Sequence, residues 1–344
     1  MSSAPPVTLE KSRVHQQSCT GQKAAGKNFR ARGALYRETP GGYQNGHPHP
    51  LAPYGTGSSF SPVFFLVTNG LAGDVEGDMS GSAQGGNDTL IGGSNSGSGD
   101  GFLVRNLLQG DANNMFDDTH GGNDTLIGGN NSGNGNGLVT NGLVGDAGAM
   151  LGSAQGGNDT LIGGNTTPLG NGRVENFLTG DGGFMSGSAQ GGNDTLIGGS
   201  NSGSGSVENT LRGDAFRFFA GGSVHAGDDT LVAGTASAGT VKNTMWGDAQ
   251  IVDAGATVTF GHDTFVFQDN VAAGQTVGTQ NFIGDFQQGL DVIKFIGVVG
   301  ASSFAELSPH ITTVSGNTII ETQDDKVTLL GFTGTLTAQD FAFA

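Results

Sequence analysis

One nine-residue phrase constrains this chain more than anything else in it. Gly-Gly-Asn-Asp-Thr-Leu-Ile-Gly-Gly occurs four times letter for letter, starting at Gly85, Gly121, Gly156 and Gly191. Two looser copies follow, Ala226-Gly-Asp-Asp-Thr-Leu-Val-Ala-Gly234 and Gly261-His-Asp-Thr-Phe-Val-Phe267. Their aspartates, Asp88, Asp124, Asp159, Asp194, Asp229 and Asp263, recur about every 35 residues. A fixed period of that size marks a solenoid or stacked array, in which each repeat is covered only by its neighbours.

A second phrase interleaves with the first. Asn69-Gly-Leu-Ala-Gly-Asp74 returns as Asn106-Leu-Leu-Gln-Gly-Asp111, Asn141-Gly-Leu-Val-Gly-Asp146 and Asn176-Phe-Leu-Thr-Gly-Asp181. It continues as Asn209-Thr-Leu-Arg-Gly-Asp214 and Asn243-Thr-Met-Trp-Gly-Asp248. Aligned on the large apolar residue, the two phrases are variants of one another, Asp-x-Leu-x-Gly-Gly and Asn-x-Leu-x-Gly-Asp. That alternation predicts that each 35-residue repeat is a pair of coils of about 18, each with one marked strand. One wide coil with two strands stays open as the alternative.

Composition decides between order and disorder. The 344 residues include 65 glycines and are only 35% hydrophobic. So much glycine without a collagen-like period ordinarily signals low complexity. Leu, Val, Ile and Thr at fixed offsets point instead to an ordered, turn-rich, all-β array. Helix is disfavoured, since each interior glycine costs roughly 1 kcal/mol relative to alanine.

Along the chain, three regions are expected. Residues 1–60 are polar and basic, and read as a disordered or loosely attached extension. Cys19 there reads as an incidental thiol, and His47 and His49 as solvated. Residues 61–268 are the array, opened by Phe60-Ser-Pro-Val-Phe-Phe-Leu-Val67 as an end-capping strand. Met79-Ser-Gly-Ser-Ala83, Leu151-Gly-Ser-Ala154 and Met185-Ser-Gly-Ser-Ala189 are candidates for opposing strands. Residues 269–344 carry less glycine and clearer polar/apolar alternation, which predicts a C-terminal β cap.

Charge narrows the partners. The net charge is −17. Residues 1–60 hold seven Lys/Arg and two acids, leaving seven against 29 in residues 61–344. A body that acidic disfavours nucleic acid and anionic membrane surfaces and favours cations. No apolar run reaches the roughly 18 residues of a membrane span, and the start of the chain has no apolar signal-peptide core.

Recurring carboxylates beside glycine turns suit a hard cation. Ca²⁺ takes roughly six to eight oxygen ligands, which carboxylates and turn carbonyls supply. Few sulfur or nitrogen ligands are present, which disfavours zinc, copper and iron. The candidate ligands are Asp88, Asp124, Asp159, Asp194, Asp229 and Asp263, with the Gly-Asp set Asp74, Asp111, Asp146, Asp181, Asp214 and Asp248. The bland alternative is that these residues form only Asx-turns and side-chain ladders. Asn69, Asn106, Asn141, Asn176, Asn209 and Asn243 are expected to stack as a structural ladder.

Gly-Gly-Asn-Asp-Thr-Leu-Ile-Gly-Gly resembles the glycine-rich repeat of hemolysin-type (RTX) calcium-binding proteins, over about residues 68–268. That resemblance implies a parallel β-roll with Ca²⁺ between successive turns. The sequence departs from the family pattern in that intact nonapeptides are never consecutive. Asp263-Thr-Phe-Val-Phe267, Asp285-Phe-Gln-Gln-Gly-Leu-Asp-Val-Ile293 and Leu336-Thr-Ala-Gln-Asp-Phe-Ala-Phe343 resemble the end module of serralysin-like members. By that likeness the C-terminal region caps the roll and serves as an uncleaved signal for type I secretion machinery. The implied protein is secreted, extracellular or surface-associated, and folds on meeting calcium outside a bacterial cell.

No His-Glu-x-x-His, Gly-x-Ser-x-Gly or Walker phosphate loop is present, so the expected reading is non-enzymatic. Two alternatives stand beside it. One is a surface or matrix adhesin with glycan partners. The other is a polysaccharide-active enzyme using carboxylates on the solenoid face, which would need exposed acid pairs beside aromatic platforms.

Overall fold

A computed structural model describes residues 34–38, 64–97, 100–268, 278–322 and 325–344. The chain winds into a β-solenoid of about 6 turns, and from residue 64 to residue 268 each turn lays down one strand in each of three sheets. Leu138–Val144, Ala147–Met150 and Thr160–Ile162 form one set. Arg173–Thr179, Gly182–Met185 and Thr195–Ile197 form the next. Each strand pairs in parallel with its counterparts one turn away, so that Asn141 lies opposite Asn176, Ala147 opposite Gly182, and Leu161 opposite Leu196. The stacks make a first sheet of 11 strands, a second of 6 and a third of 8, with a two-stranded ribbon beside them.

Partners in the regular part lie 35 residues apart. The coil is therefore one wide turn with three strands, not two turns of about 18. Pairing like with like explains the width. A coil of 18 would stack each Asn phrase on an Asp phrase. A coil of 35 stacks Asn on Asn, whose amides can donate and accept along the axis, and keeps each Leu in register with another Leu.

Alternation along the strands directs the core. In Leu138–Val144 the residues Val139, Asn141 and Leu143 are buried, while Thr140 and Gly142 face outward. In each Thr-Leu-Ile strand only the Leu is buried. The leucines of the first and third sheets thus meet in one continuous ladder, Leu108, Leu126, Leu143, Leu161, Leu178 and Leu196 among them. Met115, Met150, Met185 and Phe218 fill a second core under the second sheet.

The strands of that second sheet end at or before the Met-Ser-Gly-Ser phrases, as in Asp78–Met79 and Gly182–Met185. The expectation of opposing strands at Met79–Ala83, Leu151–Ala154 and Met185–Ala189 is corrected accordingly. Gly81, Gly152 and Gly187 sit at φ of 72°, 76° and 75°, a left-handed conformation that makes these segments turns.

At the N-terminal end, Phe64–Ala72 is the first parallel strand and Ala34–Glu38 pairs antiparallel with it. The remainder of residues 1–60, with Cys19, His47 and His49, lies outside the described residues, and so does 61–63.

At the other end the ladders run on past residue 268. Gly278–Ile283 continues the first sheet and Val292–Ile296 the third. The last coil adds no strand to the second sheet. Lys326–Leu329 joins the first sheet in parallel, Asn317–Glu321 and Ile311–Val314 close it with antiparallel pairs, and Phe341–Phe343 closes the third. Phe267, Phe295 and Phe341 stack beneath this closure. The one α-helix among the described residues is Phe304–Leu307, and no described helix is long and apolar enough to cross a membrane.

Candidate functional site: two facing columns of aspartate

Every coil has two comparable corners, and the sequence fills them differently. At one corner the Gly-Gly after Thr-Leu-Ile meets the Asn of the next strand. Asn141 Nδ2 donates to Gly129 O at 3.0 Å and to Asn176 Oδ1 at 2.8 Å. Its Oδ1 accepts from Gly129 N–H at 2.8 Å and from Asn106 Nδ2 at 2.7 Å. The same pattern links Asn69 through Asn106, Asn141, Asn176, Asn209 and Asn243 to Asn281. This is the amide ladder expected from the sequence, and a buried amide that both donates and accepts leaves nothing unpaired.

At the other corner stand the aspartates. In the column of Asp88, Asp124, Asp159, Asp194, Asp229 and Asp263, each backbone N–H donates to Oδ1 of the Asp one coil later, at 2.6–2.9 Å from Asp88 to Asp229. In the Gly-Asp column the carboxylate accepts from a glycine N–H of its own coil. Gly86 reaches Asp74, Gly157 reaches Asp146 and Gly192 reaches Asp181, at 2.6, 2.9 and 2.6 Å. Asp111, Asp214 and Asp248 accept in the same way from Gly122, Gly227 and Gly261.

The columns run side by side, so each coil brings one aspartate of each kind together: Asp111 with Asp124, Asp146 with Asp159, Asp181 with Asp194. Sequence reasoning missed two members. Asp285 accepts from Gly247 N–H and Asp291 from Asp263 N–H, continuing both columns by one step. The signal was present in Asn281-Phe-Ile-Gly-Asp285 and Asp291-Val-Ile293, which repeat the two phrases in worn form.

Carboxylates buried this closely cannot all keep their charge. Burial first, and the neighbouring Asp124 charge second, push Asp111 up to about 9. Burial raises Asp124 to about 8 and Asp194 to about 8. Asp146, Asp159, Asp181, Asp214 and Asp229 are all carried well above the usual carboxylate range, by burial and then by facing or stacked aspartates. Asp88 and Asp248 are raised less, to about 6 and about 7, whereas Asp263 reaches about 9.

One oxygen in most of these groups has no hydrogen bond. Oδ2 of Asp124, Asp146, Asp159, Asp181, Asp194, Asp214, Asp229 and Asp263 is buried without a partner, and both oxygens of Asp88 are. Glycine makes room for this crowding. A Cβ on Gly145 would lie 1.7 Å from Gly180 O and 2.0 Å from Asp159 Oδ2. A Cβ on Gly156 would lie 1.8 Å from Asp181 Oδ1 and 2.7 Å from Asp146 Oδ2.

The donor chemistry fits a hard divalent cation: oxygen alone, paired carboxylates, and a backbone carbonyl beside them. Among the described residues no three His, Cys, Asp or Glu side chains converge as a metal cluster, so carbonyls such as Gly180 O would have to share the coordination. The pairs are sealed in the interior, with Asp146 at 0% and Asp159 at 2% exposure. They cannot reach an external polymer, which removes them as the acid pair of a polysaccharide-active face.

A scan against protein-family models finds no match, and no curated protein matches the chain.

Proposed function

We propose that this chain is a calcium-binding β-solenoid whose interior aspartates hold Ca²⁺ along the solenoid axis. The observation that carries the reading is the contrast between the two corners. The Asn corner is hydrogen-bonded to completion, whereas the Asp corner buries an unpartnered oxygen on residue after residue. A buried carboxylate without a partner is costly, and an array of them needs a counter-charge. A divalent cation supplies that charge, neutralising two carboxylates at once. The facing pairs Asp111/Asp124, Asp146/Asp159 and Asp181/Asp194 would hold it, with the hydrogen bonds from Gly157 and Asp124 N–H keeping Asp146 and Asp159 oriented.

Binding that exists only in the wound chain is folding free energy. The acidic balance of residues 61–344 and the likeness of the repeats to hemolysin-type calcium-binding sequences support the same reading. The resemblance of the C-terminal region adds export by a type I channel, with folding deferred until millimolar calcium is met outside the cell.

Isothermal titration calorimetry of the full chain with Ca²⁺, and with Mg²⁺ as control, tests the site. The expected result is saturable calcium binding that weakens in the double variant Asp146→Asn, Asp159→Asn. Absence of a calcium signal in folded protein would contradict the proposal.

A further inference from the structure

The outward side of the third sheet is the most regular surface of the molecule. Its strands are three to five residues long in the array and alternate strictly. The Leu goes inward, while Thr and the Ile or Val flank it on the outside. Register is kept residue for residue, Thr89 on Thr125, Thr160, Thr195, Thr230 and Thr264, with Ile91, Ile127, Ile162 and Ile197 alongside. The face is thus a lattice of hydroxyls and branched methyl groups, about 4.8 Å apart between strands and about 6.7 Å apart along them.

Two polar ladders border this lattice and are pinned to the backbone. Asn158 N–H donates to Asn123 Oδ1 at 2.7 Å and Asn193 N–H to Asn158 Oδ1 at 2.7 Å. On the other border Asn165 N–H donates to Asn130 Oδ1 at 2.7 Å and Ser200 N–H to Asn165 Oδ1 at 2.6 Å. These side chains cannot rearrange without losing a hydrogen bond, so the lattice is stiff as well as regular.

Folding alone does not require that uniformity. On the first sheet of the same coils, the outward positions in register are Arg105, Thr140, Glu175, Glu208 and Lys242. Inward residues there stay constant while outward ones drift. Only the third sheet repeats its outward side chains as faithfully as its core. From the first to the fourth coil it carries no charged side chain, in a chain of net charge −17.

We infer that this face is an ice-binding surface, whose occupant is the ordered water of a growing ice crystal. An uncharged lattice is complementary to an uncharged periodic surface, not to a mineral or an anionic polymer. Methyl groups order the water next to them, and fixed hydroxyls and amides can hold such water at repeating positions. The area is also wrong for a protein partner. Six strands at those spacings present roughly 200 Å², about a quarter of the approximately 800 Å² per partner of a stable interface. The face holds none of the aromatic rings on which a crystalline polysaccharide stacks.

The test is partition of the full-length protein into a slowly grown ice hemisphere, in calcium and in chelator, with far-UV circular dichroism of each sample. The folded wild type is expected to be enriched in the ice several-fold over an inert protein of similar size. Thr160→Tyr with Thr195→Tyr adds bulk only on the outer face, and should lower enrichment to the control level with an unchanged spectrum. Thr210→Tyr, outward on the first sheet, should leave it intact. Exclusion of folded wild type from ice overturns the inference, as does retention on crystalline cellulose or chitin without ice enrichment, or equal loss in Thr210→Tyr. Ice enrichment in protein that ignores calcium would sink the calcium reading and leave this one standing.

Discussion

Asn141 and Asp159 stand two residues before a buried leucine in strands that face each other, yet their surroundings diverge. Asn141 makes four buried hydrogen bonds. Asn141→Ala therefore strands an N–H and a carbonyl on Gly129 and one amide group on each neighbouring Asn. The expected loss is about 3 kcal/mol or more, read as a lower urea midpoint in calcium; a change under about 1 kcal/mol would show that the ladder is not structural.

Asp159 behaves oppositely with pH. The folded-state values of Asp88, Asp248, Asp124 and Asp111, at about 6, 7, 8 and 9, lie above the ordinary 3.8. Asp159 is raised in the same sense. Between the two ranges the folded state binds more protons than the unfolded chain, so stability falls as pH rises. In chelator, the stabilising contribution is complete below about pH 4 and is lost as pH climbs through about 6 to 9. Urea midpoints in chelator should therefore drop from about pH 5 to about pH 8, and calcium should flatten the profile. A midpoint that rises with pH in chelator would contradict the carboxylate burial described.

At the scale of the strand, Thr-Leu-Ile was the most legible element, because one buried residue between two outward β-branched ones is the period-two signature of a strand. Coil width was not legible. The Asn and Asp phrases look alike along the sequence, and their difference lies in what each side chain can bond along the axis. The strands of the second sheet also escaped notice. Ala112–Met115, Ala147–Met150 and Gly182–Met185 share a small residue and a methionine, with two unrelated outward residues between, so no alternation marks them. Turn glycines are legible only as a class. At Gly145 and Gly156, as at Gly110, Gly121, Gly180 and Gly191, carboxylate oxygens occupy the space of a Cβ, joined at Gly145 by a backbone carbonyl. Gly145→Ala should prevent the coil from closing and abolish cooperative unfolding, whereas Gly77→Ala, with open space around it, should fold like the wild type.

Across the whole molecule, solenoid geometry and charge are coupled. A parallel stack with a 35-residue step places like residue on like, which gives the leucine core and the amide ladder, and by the same rule gathers aspartates. Most of the twelve candidate ligands chosen from the sequence do end in this interior; Asp285 and Asp291 extend the columns where the repeat is worn. What the sequence could not reveal is that the two Asp sets face one another, since the pairing joins the end of a first-sheet strand to the start of a third-sheet strand, with the second-sheet strand between them in sequence. The C-terminal strands continue this stack rather than standing apart from it, so capping and repeat share one hydrophobic interior from Leu71 to Phe341.

If calcium neutralises the buried aspartate columns, folding of the chain depends on calcium. That dependence is tested most directly by far-UV circular dichroism of metal-free protein at near-neutral pH, titrated with Ca²⁺ and then with chelator. The expected result is a transition from a largely unfolded spectrum to a β spectrum that calcium produces, magnesium does not match, and chelator reverses. A full β spectrum in chelator that calcium leaves unmoved, with unchanged thermal stability, would contradict it.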